Sequence, residues 1–301
     1  MDGLTRCVGD PDVFRDTLRR RVPAMLRPPH PPVDVLPLAT VLARLDDGLL
    51  THPYLQVVRH EGPVPAERFC PPRIFLDRVL TGHADAPQVR RLVGEQGCTL
   101  LLRYVDHWHR GVRDLTESIA RQLDRQVEAF YFVTPPGTSG RPVHRDDADV
   151  LVVQIAGAKL WRIHAGPDDG AWEPSRVADP GPVLLEVVVR PGEVLYVPRG
   201  HAHAATAVGD APSVHLSLTI REAGTAHLYA LLDSVLTEEL ELPPRPLDDA
   251  SLHTTAADLL ARMRLRLDEL TPEGLVAAAR AGMRPDRVAH AGQMPGLTEF
   301  M

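Results

Sequence analysis

The 301-residue sequence contains no asparagine, and one lysine, Lys159, among its 33 basic residues. A coding bias toward G and C accounts for both, because the codons for these residues are rich in A. A lysine kept against that background is either chance or a position that the wide guanidinium fork of arginine does not fit. Cysteine is scarce as well: Cys7, Cys70 and Cys98 are few, odd in number and without C-x-x-C spacing. That argues against a disulfide framework and a thiolate zinc site, and a reducing cytoplasm is expected. No apolar run reaches the roughly 18 residues of a membrane span. Met1 to Asp10 lacks the basic-then-apolar pattern of a secretory leader, so neither membrane nor export is expected. Aromatic residues make up 5% of the chain, too few to favour a base-stacking platform. Acidic residues outnumber basic ones 40 to 33, a net charge of −7. This disfavours direct nucleic-acid binding and suits a basic protein or peptide partner. There is no G-x-S-x-G, Walker or dinucleotide glycine motif, which sets aside an elbow-type hydrolase and a nucleotide cradle.

What is present has two textures. In the first 125 residues, helical and extended patterns alternate. Val13, Phe14, Leu18 and Val22 mark one face of a helix over 11–26, with Pro23 a point of kinking or ending. A Pro-rich loop is expected over 27–37, helices over 38–50, 89–95 and 110–123, and strands over 54–58 and 99–105. From Gln126 to Ile220 the segments become short, rich in Val and Leu, and separated by Gly, Pro and Asp. DVLVVQIAG, KLWRIH and PVLLEVVVRPGEVLYVPRG are examples, and they predict an antiparallel β-sandwich or barrel. Helical patterns return over 226–241, 255–270 and 272–281, with a Pro-rich linker at 242–249.

The chemistry lies in the β region. His144 and Asp146 are two residues apart, so on a strand both point to the same side. Downstream, PGEVLYVPRGHAH delivers His201 and His203 after a Pro-Arg-Gly turn. Either histidine would complete a set of two imidazoles and one carboxylate, the facial arrangement that suits non-haem Fe(II). Lys159 lies in otherwise apolar, strand-like sequence, where an ammonium is costly to bury without an anion. His107, Trp108, His109 and Trp161 read as core or rim packing. Arg145 and Asp147 read equally as mouth residues or as exposed rim.

The stretch YFVTPPGTSGRPVHRDDADVLVVQIAGAKLWRIH, with PGEVLYVPRGHAHAAT and SVHLSLTI, resembles the JmjC-type cupin oxygenases, most nearly their ribosomal oxygenase branch of histidyl and arginyl hydroxylases. The resemblance is strong over about 126–222 and faint over 1–125. It implies a mainly β fold with helices: a double-stranded β-helix core, N-terminal α/β elements and a C-terminal helical module. The domains implied are a catalytic 1–225 and a helical, dimerising 226–301, with room for that module but not for the winged helix of the histidyl hydroxylases. It further implies Fe(II) on His144, Asp146 and His203. 2-Oxoglutarate would pair with Lys159, with Thr219 and Thr134 as further cosubstrate contacts, and O2 would be the co-reactant. Relatives often carry Asn and Tyr where this chain has Phe130 and Phe132, which alters the pocket.

The function implied is Fe(II)- and 2-oxoglutarate-dependent hydroxylation of a protein or peptide side chain, such as His or Arg of a ribosomal protein. The same chemistry on a free amino acid or secondary-metabolite intermediate is the alternative. A non-enzymatic, metal-binding cupin is the third reading.

Overall fold

The computed structural model describes residues 2–237 and 241–283. The helix expected over 226–241 and the helical domain expected over 226–301 therefore run in part outside the described residues. The chain divides into two compact units, 1–123 with 127–221, and 124–126 with 222–301.

In the first unit the helices are α1 (Gly3–Val8), α2 (Pro11–Arg20), α3 (Leu38–Asp46), α4 (Ala86–Gly94), α5 (Val105–Trp108) and α6 (Arg110–Leu123). The early strands are β1 (Ala24–Leu26), β2 (Leu55–Arg59), β3 (Gly62–Pro63), β4 (Arg73–Phe75), β5 (Arg78–Leu80) and β6 (Thr99–Leu102). The later strands are β7 (Gln126–Thr134), β8 (His144–Arg145), β9 (Ala148–Ala156), β10 (Ala158–His164), β11 (Ser175–Arg176), β12 (Val183–Val189), β13 (Val194–Val197), β14 (His203–Val208) and β15 (Ser213–Arg221). They form an eight-stranded sheet, β1-β13-β9-β15-β7-β6-β2-β3, and a five-stranded sheet, β11-β8-β14-β10-β12, with β4-β5 a separate hairpin. This is the expected mainly β cupin fold with helices.

β9 joins the two halves of the core. Leu151 and Val153 pack with the helices and the large sheet, whereas Val150 and Val152 pack with Trp161, Ile163, Val189, Leu195 and Val197. Its two faces are both buried, which is why it reads as an unbroken apolar run rather than an alternating one. The β9–β10 turn requires glycine: Gly157 has φ +60°, and a Cβ there would lie 2.2 Å from the Pro212 carbonyl oxygen.

Three expectations need correction. The 11–26 segment is not one helix. α2 stops at Arg20, Arg21 takes left-handed φ 53°, and Ala24–Leu26 pair antiparallel with Val194–Tyr196. Pro23 cannot donate a helical hydrogen bond, so the chain is free to join the sheet there. The strand over 99–105 ends at Leu102, because Tyr104 at φ 50° starts α5. The hairpin β4–β5 has no counterpart in the sequence reading; Leu76 and Asp77 both have positive φ, the requirement of a tight two-residue turn.

The second unit holds α7 (Thr225–Thr237), α8 (Asp249–Glu269) and α9 (Pro272–Met283). An Asp248–Ser251 capping box starts α8, six residues earlier than the expected 255. Glu222 accepts hydrogen bonds from Arg280 Nε and Nη2, both at 2.8 Å, and pairs with Arg125 at 2.6 Å. Among the described residues of these three helices, only Ala279 is buried.

Candidate active site

The small sheet brings the sequence motifs together. His203 is paired with His144 across β14 and β8, and with Ile163 across β14 and β10. His144 and His203 Nε2 each lie 3.6 Å from Asp146 Oδ2, and the three ligand atoms fall within 4.8 Å of one another. Nδ1 of His144 is bonded to the Pro142 carbonyl at 2.8 Å, and Nδ1 of His203 to the His201 carbonyl at 3.0 Å. Each bond is satisfied by an Nδ1–H donor, which leaves Nε2 as a lone-pair ligand. Burial, then the charge of His144, lowers the His203 pKa to about 4. Burial alone would raise the Asp146 carboxyl, but a hydrogen bond with His144 and the charges of His203, His144 and Arg141 hold it well below the usual range. Two imidazoles and a carboxylate, with no thiolate, fit a first-row divalent metal with positions left open toward the cavity. Among the described residues this is the one such cluster; His107 instead stacks on Tyr104.

Of the two candidate histidines, His201 lies outside the strand that carries His203 and outside the cluster. Gly200, at φ +79°, turns the chain, and β14 begins only at His203. A Cβ on Gly200 would meet Pro167 Cδ at 2.9 Å, so the turn needs glycine. The turn is pinned from below by Asp149, whose Oδ1 accepts from Tyr196 Oη at 2.7 Å and from Arg199 N at 3.1 Å.

On β10 the residues Lys159, Trp161 and Ile163 alternate inward. Lys159 lies four residues from Ile163, about 13 Å along the strand from the metal ligands before its stem is counted. It is 4% exposed, and its ammonium donates to Thr134 Oγ1 at 3.0 Å. Its remaining surroundings are aromatic: Nζ lies 5.9 Å from the Phe132 ring centre and 6.0 Å from that of Trp161. With no carboxylate beside it among the described residues, burial lowers its pKa to about 7.

Both groups open on one cavity of about 400 Å³, lined also by Phe130, Phe132, Thr219 and Arg221. Trp161, expected as packing, forms part of its wall. Thr219 lies on β15 opposite Val150, at the end toward Arg221. Arg221 binds Asp147 and Glu128, each at 2.9 Å.

Sequence reasoning missed His215. It is 2% exposed and stacks on Phe132, centroids 4.7 Å apart at 7°; its Nδ1 has no hydrogen-bond partner among the described residues. Burial, then the charge of Lys159, holds it well below the usual imidazole range. Alternation in SVHLSLTI contained the signal, since His215, Ser217 and Thr219 share one face. Gln56, Pro63 and Arg103 also line the cavity, from segments remote in sequence, and left no such signal.

Residues 107–228 match the JmjC domain family. The chain is 30% identical over 133 residues to the bifunctional lysine-specific demethylase and histidyl-hydroxylase NO66 of Aedes aegypti, covering 42% of this chain and 21% of that protein. It is 30% identical over 159 residues to ribosomal oxygenase 1 of Gallus gallus, covering 49% and 26% respectively. The chain thus spans about a fifth to a quarter of the length of these two relatives. Among solved structures, YcfD, a ribosomal oxygenase from Escherichia coli in complex with cobalt and 2-oxoglutarate, matches 87% of this chain and 68% of its own, with TM-score 0.54 and 20% identity.

Proposed function

With residues 107–228 forming a JmjC domain, we propose that the chain is an Fe(II)- and 2-oxoglutarate-dependent oxygenase that hydroxylates a protein or peptide side chain. The observation that carries this reading is the pairing, on one cavity, of a cluster of two buried histidines and one carboxylate with a buried ammonium that has no counter-ion among the described residues. The names of the relatives support a protein substrate, and a histidine or arginine of a ribosomal protein is the specific form of the proposal.

In this reading His144, Asp146 and His203 hold the iron as ligands, not as acid–base groups. Iron, 2-oxoglutarate and O2 together supply the oxidising power when bound, a step that no side chain here performs. Lys159 offers its ammonium to the distal carboxylate of the cosubstrate, with Thr134 Oγ1 accepting one hydrogen bond from that ammonium. Thr219 contributes a hydroxyl from β15. Phe132, Trp161 and His215 keep water from the ammonium, which strengthens its pull on an anion.

Two further parts of the proposal concern assembly and compartment. The helical unit is read as a homodimerisation module: Leu252, Leu260 and Leu267 of α8 are 55%, 51% and 45% exposed. Their spacing puts them on one stripe of the helix. A second copy would cover that stripe. A reducing cytoplasm is the compartment proposed, since all three thiols are free and buried. No helix among the described residues is long and apolar enough to cross a membrane.

The direct test is succinate release by purified protein given Fe(II) and 2-oxoglutarate. Turnover that is lost in His144→Ala is expected. No succinate from the wild type, even uncoupled from substrate, would overturn the reading. Intact-mass comparison of ribosomal proteins from a deletion strain then tests the ribosomal form, with a missing single-oxygen addition as the expected result.

A further inference from the structure

The chain is acidic overall, yet one side of its cavity is not. A second cavity of about 260 Å³ adjoins the first and shares His144 and Asp146 with it. Four arginines line it: Arg59, Arg141, Arg145 and Arg176. Its one carboxylate is Asp146, whose charge a bound metal would consume. Some surface arginines are ion-paired, as in Arg15 with Asp12, Arg90 with Asp46 and Arg162 with Glu186. Among the described residues, Arg141 approaches Asp146 at 3.7 Å, and Arg59, Arg145 and Arg176 have no carboxylate in ion-pairing range.

The arginines come from separate parts of the chain. Arg59 ends β2, Arg145 ends β8 beside the ligand His144, and Arg176 ends β11, which pairs with β8. Arg176 is anchored by donating from Nη2 to the Glu61 carbonyl at 2.6 Å. Arg145 is half-buried, and its Nε has no hydrogen-bond partner. Like charges held this close repel one another, so the cluster costs stability unless something anionic enters. Guanidinium groups match carboxylates through paired N–H donors.

We infer that the group hydroxylated here belongs to a carboxylate-bearing substrate, an acidic peptide segment or a small carboxylic acid, held by Arg59, Arg145 and Arg176 beside the metal. This names the substrate class of the oxygenase reading and rests on it for the reaction. Within a protein substrate it places acidic residues beside the hydroxylated side chain, where the net charge of the whole chain alone would suggest basic ones.

The experiment uses iron- and 2-oxoglutarate-loaded protein under argon, with fluorescein-labelled Glu-Ala and Arg-Ala repeat peptides as probes and fluorescence anisotropy as the readout. The Glu-Ala peptide is expected to bind about tenfold tighter or more, and to weaken about tenfold in the Arg59→Gln, Arg176→Gln double variant. Unlabelled glutarate should displace it if the site takes small acids; failure of glutarate with retained peptide binding assigns the acidic peptide. An Arg19→Gln, Arg20→Gln control changes net charge equally on exposed α2 and should leave binding unchanged. Tighter binding of Arg-Ala, equal weakening in the control, or a loss of 2-oxoglutarate affinity in the double variant as large as the loss of peptide affinity would each overturn the inference. Succinate release by the wild type, measured separately on the same preparation, reports on the oxygenase reading. Its absence would count against that reading while the charge preference is still measured.

Discussion

His144 and His203 sit directly opposite one another where β8 pairs with β14, their ring centroids 4.3 Å apart. The sheet, rather than a flexible loop, therefore sets the bite of the metal cluster, and each ring is locked by a backbone carbonyl on its Nδ1. Preorganisation of this kind makes the cluster sensitive to any change in its three members.

Replacing His144, Asp146 or His203 with alanine should abolish metal binding and lower succinate production by about 100-fold or more, on the scale of a lost metal site. His201→Ala should retain stoichiometric iron, because that ring is turned out of the cluster by Gly200. Iron content after gel filtration and a turnover assay decide both. Added metal should raise the melting temperature of the wild type and leave the three ligand variants unmoved.

Lys159→Met should raise the KM for 2-oxoglutarate by about 30-fold or more, the cost of leaving an anion without its partner. Lys159→Arg should not restore it, since the fork does not fit the slot between Phe132, Trp161 and Thr134. The pH dependence has a definite sign. Burial lowers the folded pKa to about 7, against the ordinary lysine value of 10.5. Between these values the unfolded chain binds more protons, so the stability of the cosubstrate-free protein rises with pH across that window. Lys159→Met should remove that slope and stabilise the cosubstrate-free protein at pH 7, as urea melts at several pH values would record. Affinity for 2-oxoglutarate should fall above pH 7 in the wild type, because binding then takes up a proton.

Gly200→Ala should both destabilise the protein and weaken its hold on iron. The αL backbone costs a non-glycine residue roughly 1–2 kcal/mol, and the added Cβ meets Pro167 at 2.9 Å. Since Gly200 N also donates to the Asp146 carbonyl at 2.9 Å, displacement of the turn is felt at two ligands. Thermal melts with and without Fe(II) should show a smaller metal-induced shift than the wild type.

Leu260→Arg and Leu267→Arg should turn a dimer into a monomer by placing charge on the exposed stripe of α8. Light scattering should give about twice 33.1 kDa for the wild type and 33.1 kDa for the variants. A wild type that is monomeric at micromolar concentration would remove the dimer from the proposal.

Read along the chain alone, the β texture of 126–220, the two-residue spacing that puts His144 and Asp146 on one side, and the isolated lysine among apolar residues are already visible. These are legible because side-chain alternation on a strand is local and has a fixed period. The sequence also held His215 in the same alternating face as Thr219, unread for want of a motif. Only the tertiary structure decided which of His201 and His203 turns inward, because that depends on where a left-handed glycine hands over to β14. It alone brought Arg59 and Arg176 beside His144, and Thr134 beneath Lys159. Strand pairing across long stretches of chain is settled by which buried faces and turns are mutually compatible, and no local period records it.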